Sequence, residues 1–355
     1  RVSWESEPRA QVMIRYAQGN EDSPFWEPRN ILKRVLNRFE DDGIAPVVAY
    51  ELEFYLVDQQ RTDTGAVQPA IGQRSGQRDN YAVLNMERLT DFGECLGDIT
   101  RTCAEQDVSV GPVSAEVGLG QYEINLLHNA DVMAAADQCV MFKRIVKGVA
   151  MKHGFQASFM AKPYLDHAGN GLHLHTSLYD AQGNNLFNDE SSGKLLHAVA
   201  GVLKVMPESL SIFAPNLNAF RRLAPDNNVP VSPTWGFENR SVAARIPSSD
   251  AKNQRIEYRV GGADANPYLA LASLMAAIHW GLKQELQPGP ASEDLCTEAS
   301  GLPTDFRSAL RLTETSEVLK DYLGEDFIPV YCAQKHSEID AFEDAISARE
   351  YEWYL

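Results

Sequence analysis

Residues 45–58, APVVAYELEFYLVD, are an apolar run interrupted by two acids, Glu51 and Glu53, set two apart. The run fits a strand, and a period of two puts both carboxylates on one face of its sheet. A single pair of this kind usually marks a solvated strand face. Here the flanks are apolar on both sides, which predicts an enclosed strand. An enclosed carboxylate pair needs cations or protons to exist. The chain must therefore bury this strand in a sheet while giving its two charges something to face.

The other segments lack the regular βαβα rhythm of a doubly wound fold. The spacing predicts a strand over 9–16 (RAQVMIRY), where Val12 and Ile14 alternate with polar neighbours. A helix should open at Pro28, carry Ile31, Leu32, Val35, Leu36 and Phe39 at helical spacing, and close at Asp42-Gly43. A polar loop is expected over 63–80 and a helix from about 86 to 106. Further strands are expected near 121–127, 154–161, 171–179 and 255–260, with helices around 132–152, 193–213 and 265–286. The last begins Asp264-Ala265-Asn266-Pro267, a polar cap followed by Pro in the first turn. This order predicts an α+β fold, a mostly antiparallel sheet with helices packed outside it.

The 355 residues allow two domains or one large one. No apolar run approaches the roughly 20 residues of a membrane span, and no signal core is visible. The chain does not begin with Met, so it is expected to start partway into a longer protein. Cys95, Cys103, Cys139, Cys296 and Cys332 are scattered, with no Cys-x-x-Cys, which predicts reduced thiols and a cytoplasmic location. With 32 Lys+Arg against 49 Asp+Glu the net charge is −17, which argues against nucleic acid and anionic membrane as partners.

Three further constellations carry chemistry. Glu116 and Glu123 flank a Gly-x-Gly turn that can bring both carboxylates around one ion. After Gly169-Asn170-Gly171, the side chains of His173, His175 and Ser177 share one strand face. Arg240, Arg245, Lys252, Arg255 and Arg259 fall within twenty residues, the basic pole of an acidic chain, with Glu257 on the face of the last two. Guanidinium forks match phosphate and carboxylate oxygens, so an anionic substrate is expected there. Five acids and one imidazole (Glu51, Glu53, Glu116, Glu123, Glu257 and His173) suit Mg²⁺ or Mn²⁺ over zinc or copper. Metals beside clustered arginines are the parts of phosphoryl transfer from a nucleotide. No Walker-type loop is present, which excludes a P-loop enzyme.

Four motifs in this order, ELEF (51–54), AEVGLGQYE (115–123), GNGLHLH (169–175) and NRSVAARIP with RIEYRVGGADANPYL (239–247, 255–269), resemble the glutamine synthetase family. The likeness runs from about Trp4 to Leu355. It implies a catalytic domain over 27–355 with a curved, mostly antiparallel sheet, preceded over 1–26 by the end of a small β-grasp-like domain. It implies one metal held by Glu53, Glu116 and Glu123, and a second held by Glu51, His173 and Glu257. His175, Ser177, Arg240, Arg245, Lys252 and Arg255 would contact ATP; Gly169, Arg222 and Arg259 would contact glutamate. Arg240 would also stabilise the phosphate in flight. Stacked hexameric rings, usually a dodecamer, are implied too.

Two positions depart from glutamine synthetases proper. Asn228 stands where those enzymes carry a Glu that helps bind and deprotonate ammonium, and Ala168 stands where they carry Asn. An amide cannot accept that proton. With Trp235-Gly236 ahead of the Asn239-Arg240-Ser241 motif, both changes resemble the branch that makes γ-glutamyl-polyamines or γ-glutamyl-alkylamines, putrescine being the best-known acceptor. The expected activity is ATP-dependent joining of the glutamate γ-carboxylate to an amine. A glutamine synthetase using ammonia, with Asp226 in place of the missing Glu, is the alternative. A non-catalytic scaffold or sensor is disfavoured, since all six metal positions are present.

Overall fold

In the computed structural model, which describes residues 2–14, 16, 24–78, 83–225 and 229–355, helix α1 (Pro28–Asp41) starts where the sequence predicts. Glu27 caps it by accepting from the Asn30 N–H at 3.0 Å, and Ile31, Leu32, Val35 and Phe39 turn inward. The chain continues through β1 (Ala45–Asp58), α2 (Met86–Asp91), α3 (Gly93–Glu105), β2 (Val110–Ala115), β3 (Gln121–Leu126), α4 (Val132–Lys152), β4 (Phe155–Ser158) and β5 (Gly171–Tyr179). Then come α5 (Lys194–Phe213), α6 (Leu217–Phe220), β6 (Trp235–Phe237), β7 (Ala244–Ile246), β8 (Ile256–Gly262) and α7 (Pro267–Lys283). Four helices end it: α8 (Phe306–Thr315), α9 (Glu317–Leu323), α10 (Phe327–Glu343) and α11 (Ala348–Tyr354).

One sheet runs in the order β2-β3-β1-β5-β8-β7-β6, with β4 also paired to β1. All pairings are antiparallel except β6 with β7. The α+β expectation therefore holds. One face of the sheet is core: Tyr50, Leu52 and Phe54 of β1, Tyr122 and Ile124 of β3, Leu172 and Leu174 of β5, and Tyr258 and Val260 of β8 are buried. Helix α7 is capped by Asn266, whose side chain accepts from the Tyr268 and Leu269 N–H groups, and it packs against α5, α1 and α9. Helix α5 is, against expectation, long and apolar enough to cross a membrane; most of it is buried against α7 and α8, as a core helix is.

Several expectations need correction. The described residues of 9–16 form no strand: Val12 and Ile14 are exposed, and among the described residues no strand pairs with their backbone. The helix expected over 86–106 is two, α2 and α3, broken at Phe92, which has left helical geometry (ψ 15°) ahead of Gly93. Strand β2, with Gly111 and Pro112 inside it, and the three-residue β6 and β7 were not expected. All five cysteines are free. Burial pushes the thiols of Cys95, Cys103, Cys139 and Cys332 up to about 12, so they are poor nucleophiles.

Candidate active site

Strand register assembles the site on the face opposite the core. Pairing of β1 with β3 sets Glu53 opposite Glu123, and pairing with β5 sets Glu51 opposite His173. Pairing of β5 with β8 sets His175 opposite Glu257, and β7 brings Arg245 opposite Glu257 from the far side. Directly opposed residues project to the same face, so one row of charge crosses five strands. Glu116 lies just past β2, and its N–H donates to the Gln121 carbonyl at 2.9 Å, which returns it to the same rim.

Glu51 is the hub. Its Oε1 lies 2.5 Å from His173 Nδ1 and its Oε2 lies 3.4 Å from His175 Nε2. Ligand atoms of Glu51, His175 and Glu257 fall within 4.8 Å of one another. His173 Nδ1 is 3.8 Å from Glu257 Oε1, so both imidazoles, not only the expected His173, face this group. Glu257, 1% exposed, accepts from Arg245 Nη1 at 2.7 Å and from Arg259 Nη1.

The two halves of the patch differ electrostatically. Burial alone would raise Glu51 and Glu257, but His173 and His175 hold Glu51 well below the usual carboxylate range, and Arg259 with the same imidazoles holds Glu257 down. Glu116 and Glu123 are less well compensated: the charge of Arg240 lowers Glu116 and Asn125 Nδ2 donates to Glu123 Oε1 at 3.1 Å, but burial and the neighbouring acids outweigh both. Burial, then the neighbouring Glu51 and Glu53, push Glu116 up to about 7. Burial, with Glu51, Glu116 and Glu53, pushes Glu123 up to about 9. Carboxylates that repel one another in a partly enclosed place are relieved by protons or by a cation. Oxygen donors with imidazole suit hard divalent ions, so these residues fit Mg²⁺ or Mn²⁺.

Beside this patch lies Arg222, buried, its Nη1 donating to the Val260 carbonyl at 2.9 Å. Burial brings its pKa down to about 10. A Cβ at Gly171 would sit 2.7 Å from His173 Nε2 and 2.9 Å from Arg222 Nη2, and one at Gly169 would sit 2.8 Å from Arg222 Cγ. Only glycine lets the backbone pass this close to the guanidinium. Arg222 Nε and Arg245 Nε are buried and have no partner among the described residues, which suits anionic ligands arriving from outside the chain. Arg259 donates from Nε to the Arg240 carbonyl at 3.1 Å, and the Arg240 side chain is exposed.

His175, Ser177 and Arg255 line one cavity of about 360 Å³ together with Asn125 and His128. Arg255 Nε lies 3.3 Å from His175 Nδ1, and Ser177 Oγ donates to the Gln254 carbonyl at 2.9 Å. Lys252 is exposed on the loop before β8 and does not line that cavity. Asn228, with Asp226, lies outside the described residues. Ala168 accepts from Tyr55 Oη at 2.6 Å.

Sequence reasoning missed Gln121. Its Nε2 lies 3.1 Å from Glu53 Oε2 and 3.0 Å from the Gly169 carbonyl, and its Oε1 accepts from the Gly118 N–H at 2.9 Å. One buried amide thus ties the first acid pair, the Gly-x-Gly turn and the glycine motif together. The available signal was its position two residues before Glu123, on the same strand face.

A family model described as glutamine synthetase, catalytic domain, matches residues 25–354. The chain is 42% identical over 335 residues to gamma-glutamylputrescine synthetase PuuA of Escherichia coli K12, covering 93% of this chain and 71% of that protein. It is 30% identical over 365 residues to a glutamate–isopropylamine ligase of a Pseudomonas species (100% and 78% covered). With the glutamine synthetase of Pyrococcus furiosus it shares 33% over 343 residues (92% and 74%). Among solved structures, apo GmaS without ligand superposes with a TM-score of 0.81 at 27% identity, covering 94% of this chain and 77% of that one. A GmaS/ADP complex gives 0.80 at the same identity, covering 93% and 77%.

Proposed function

The chain belongs to the glutamine synthetase family, and from that membership we propose that it is an ATP-dependent ligase joining the γ-carboxylate of glutamate to an amine, putrescine or another polyamine or alkylamine. The observation that carries the reading is the row of Glu123, Glu53, Glu51, His173, His175, Glu257 and Arg245, drawn from five strands onto one face. Two relatives with the stated identities are glutamate–amine ligases by name, which supports the same class. We assign residues 27–355 to the catalytic domain.

In this reading a γ-carboxylate oxygen of glutamate attacks the terminal phosphorus of ATP, ADP leaves, and γ-glutamyl phosphate forms. The amine nitrogen then attacks the γ-carbonyl carbon, phosphate departs, and the nitrogen gives up a proton. Arg222, Arg259 and the Gly169 backbone hold glutamate; Arg240, exposed beside them, neutralises the phosphoryl oxygens as charge builds. His175, Ser177, Arg245, Lys252 and Arg255 bind the nucleotide. Glu53, Glu116 and Glu123 would hold one Mg²⁺ or Mn²⁺, and Glu51, His173 and Glu257 a second, with His175 also in reach. Bound there, the ions supply Lewis-acid neutralisation of phosphate charge. The protein acts in the cytoplasm and self-associates into stacked hexameric rings; exposed Tyr351, Trp353, Tyr354 and Leu355 at the C-terminus are apolar surface that a second copy would cover.

The test is an amine panel. Phosphate release is measured with ATP, glutamate and, in turn, putrescine, other alkylamines and ammonia. Faster turnover with putrescine or an alkylamine than with ammonia is expected; a strong preference for ammonia would restore glutamine synthetase. Asn228→Glu should raise use of ammonia relative to putrescine by about tenfold, since a carboxylate restores an anionic wall for ammonium. No rise in ammonia use would show that residue 228 does not choose the acceptor.

A further inference from the structure

Arg245 is shared between two carboxylates. Its Nη1 donates to Glu257 Oε2 at 2.7 Å, and its Nη2 lies 3.3 and 3.4 Å from the two oxygens of Glu238. Glu238 directly precedes Asn239-Arg240 and has φ +53°, the left-handed region that residues with side chains rarely adopt. Its N–H donates to the Ile246 carbonyl at 3.1 Å, and its carboxylate accepts from the Ser248 N–H. The residue is thus fixed at both ends although its side chain is 54% exposed.

Glu257 already serves Arg245 and Arg259 and faces His173. One carboxylate charge is thus divided between two guanidiniums and, in the proposed reading, a cation. A second anchor for Arg245, on the solvent side, relieves Glu257 of part of that load. We propose that Glu238 is a positioning residue that holds the Arg245 guanidinium across the mouth of the site, with its remaining N–H groups turned to nucleotide phosphate. The inference rests on the reading that Arg245 contacts the nucleotide. It makes a counter-intuitive claim about sign. A carboxylate near phosphate should by plain repulsion weaken nucleotide binding; acting through Arg245, Glu238 strengthens it.

The test is calorimetric binding of ADP with Mg²⁺, alongside KM values for ATP and glutamate. Glu238→Gln keeps the size and the acceptor for the Ser248 N–H but removes the charge. Its ADP dissociation constant and ATP KM should rise about tenfold, with KM for glutamate unchanged, as expected for loss of a charge-assisted hydrogen bond. In an Arg245→Gln background the same substitution should have no further effect. Tighter ADP binding by Glu238→Gln would mean simple repulsion and overturn the proposal. So would an equal loss of glutamate affinity, or an effect that persists without Arg245. If Arg245→Gln alone leaves ADP binding intact, the nucleotide assignment of Arg245 is what has failed, and the inference falls with it.

Discussion

Glu257→Gln is expected to lower ligase turnover by about a hundredfold to a thousandfold, the scale seen when one preorganised charge partner is removed from a site that stabilises developing charge. Glu257 is where the metal-side and arginine-side halves of the site meet. It accepts from Arg245 and Arg259, and its ligand atom lies within 4.8 Å of those of Glu51 and His175. The amide keeps the shape and one acceptor, but Arg259 loses its counter-charge and Arg245 keeps only the half-exposed Glu238, at a place that is 1% exposed. Stripping one partner from a buried ion pair costs about 3–5 kcal/mol in general, and an amide that still accepts one bond should cost less. The variant should therefore fold with a lowered melting temperature. Phosphate release at saturating glutamate, amine and ATP, with circular dichroism as the fold control, checks both statements. Unchanged turnover at low Mg²⁺ would show that the ligand mapping is wrong.

The second large effect is in stability and runs with pH. Unfolded carboxyls ionise near pH 4.3, whereas Glu116 and Glu123 in the fold are raised to about 7 and about 9. The folded chain therefore holds more protons than the unfolded chain between those limits. The contribution of these two groups is fully present below about pH 4.3 and is lost as pH rises towards 9. A divalent cation requires both groups ionised, so it displaces their protons and restores what high pH removes. Saturating Mg²⁺ should raise the melting temperature by about 5 °C at pH 8 and by clearly less at pH 6. Glu123→Gln should melt higher than the parent without metal at pH 8, gain little from Mg²⁺, and show a flatter pH profile. A metal-induced gain that is equal at both pH values, or larger at pH 6, would refute the assignment.

What could be read from the sequence is sharply uneven. Within a strand, period two fixes which residues share a face, so Glu51 with Glu53, and His173 with His175, were legible as pairs. Between strands nothing in the sequence states register; that Glu51 faces His173 and Arg245 faces Glu257 appears only when backbone pairing is known. Strands β6 and β7, three residues each, are too short to carry a periodic signal, and β2 contains Gly111 and Pro112, which argue against a strand by propensity. RAQVMIRY erred the other way: Val12 and Ile14 alternate as a strand would, yet a strand exists only beside a partner. Gln121 and Glu238 were overlooked because their roles are to hold other side chains, and such contacts depend on tertiary placement.

The alternation along β1 and β5 also bears on how the chain avoids misassembly. Were β5 to pair with β1 one residue out of step, His173 and His175 would turn into the core while Leu172 and Leu174 turned to the charged face. The same slip in β1 would bury Glu51 and Glu53 and expose Leu52 and Phe54. Each displaced large apolar side chain forfeits about 1.5–3 kcal/mol, and each acid drawn inward without partners adds a further penalty. The residues that do the chemistry thereby act as a proofreading device for the central strands: an incorrectly aligned sheet is rejected by the charges it would have to swallow.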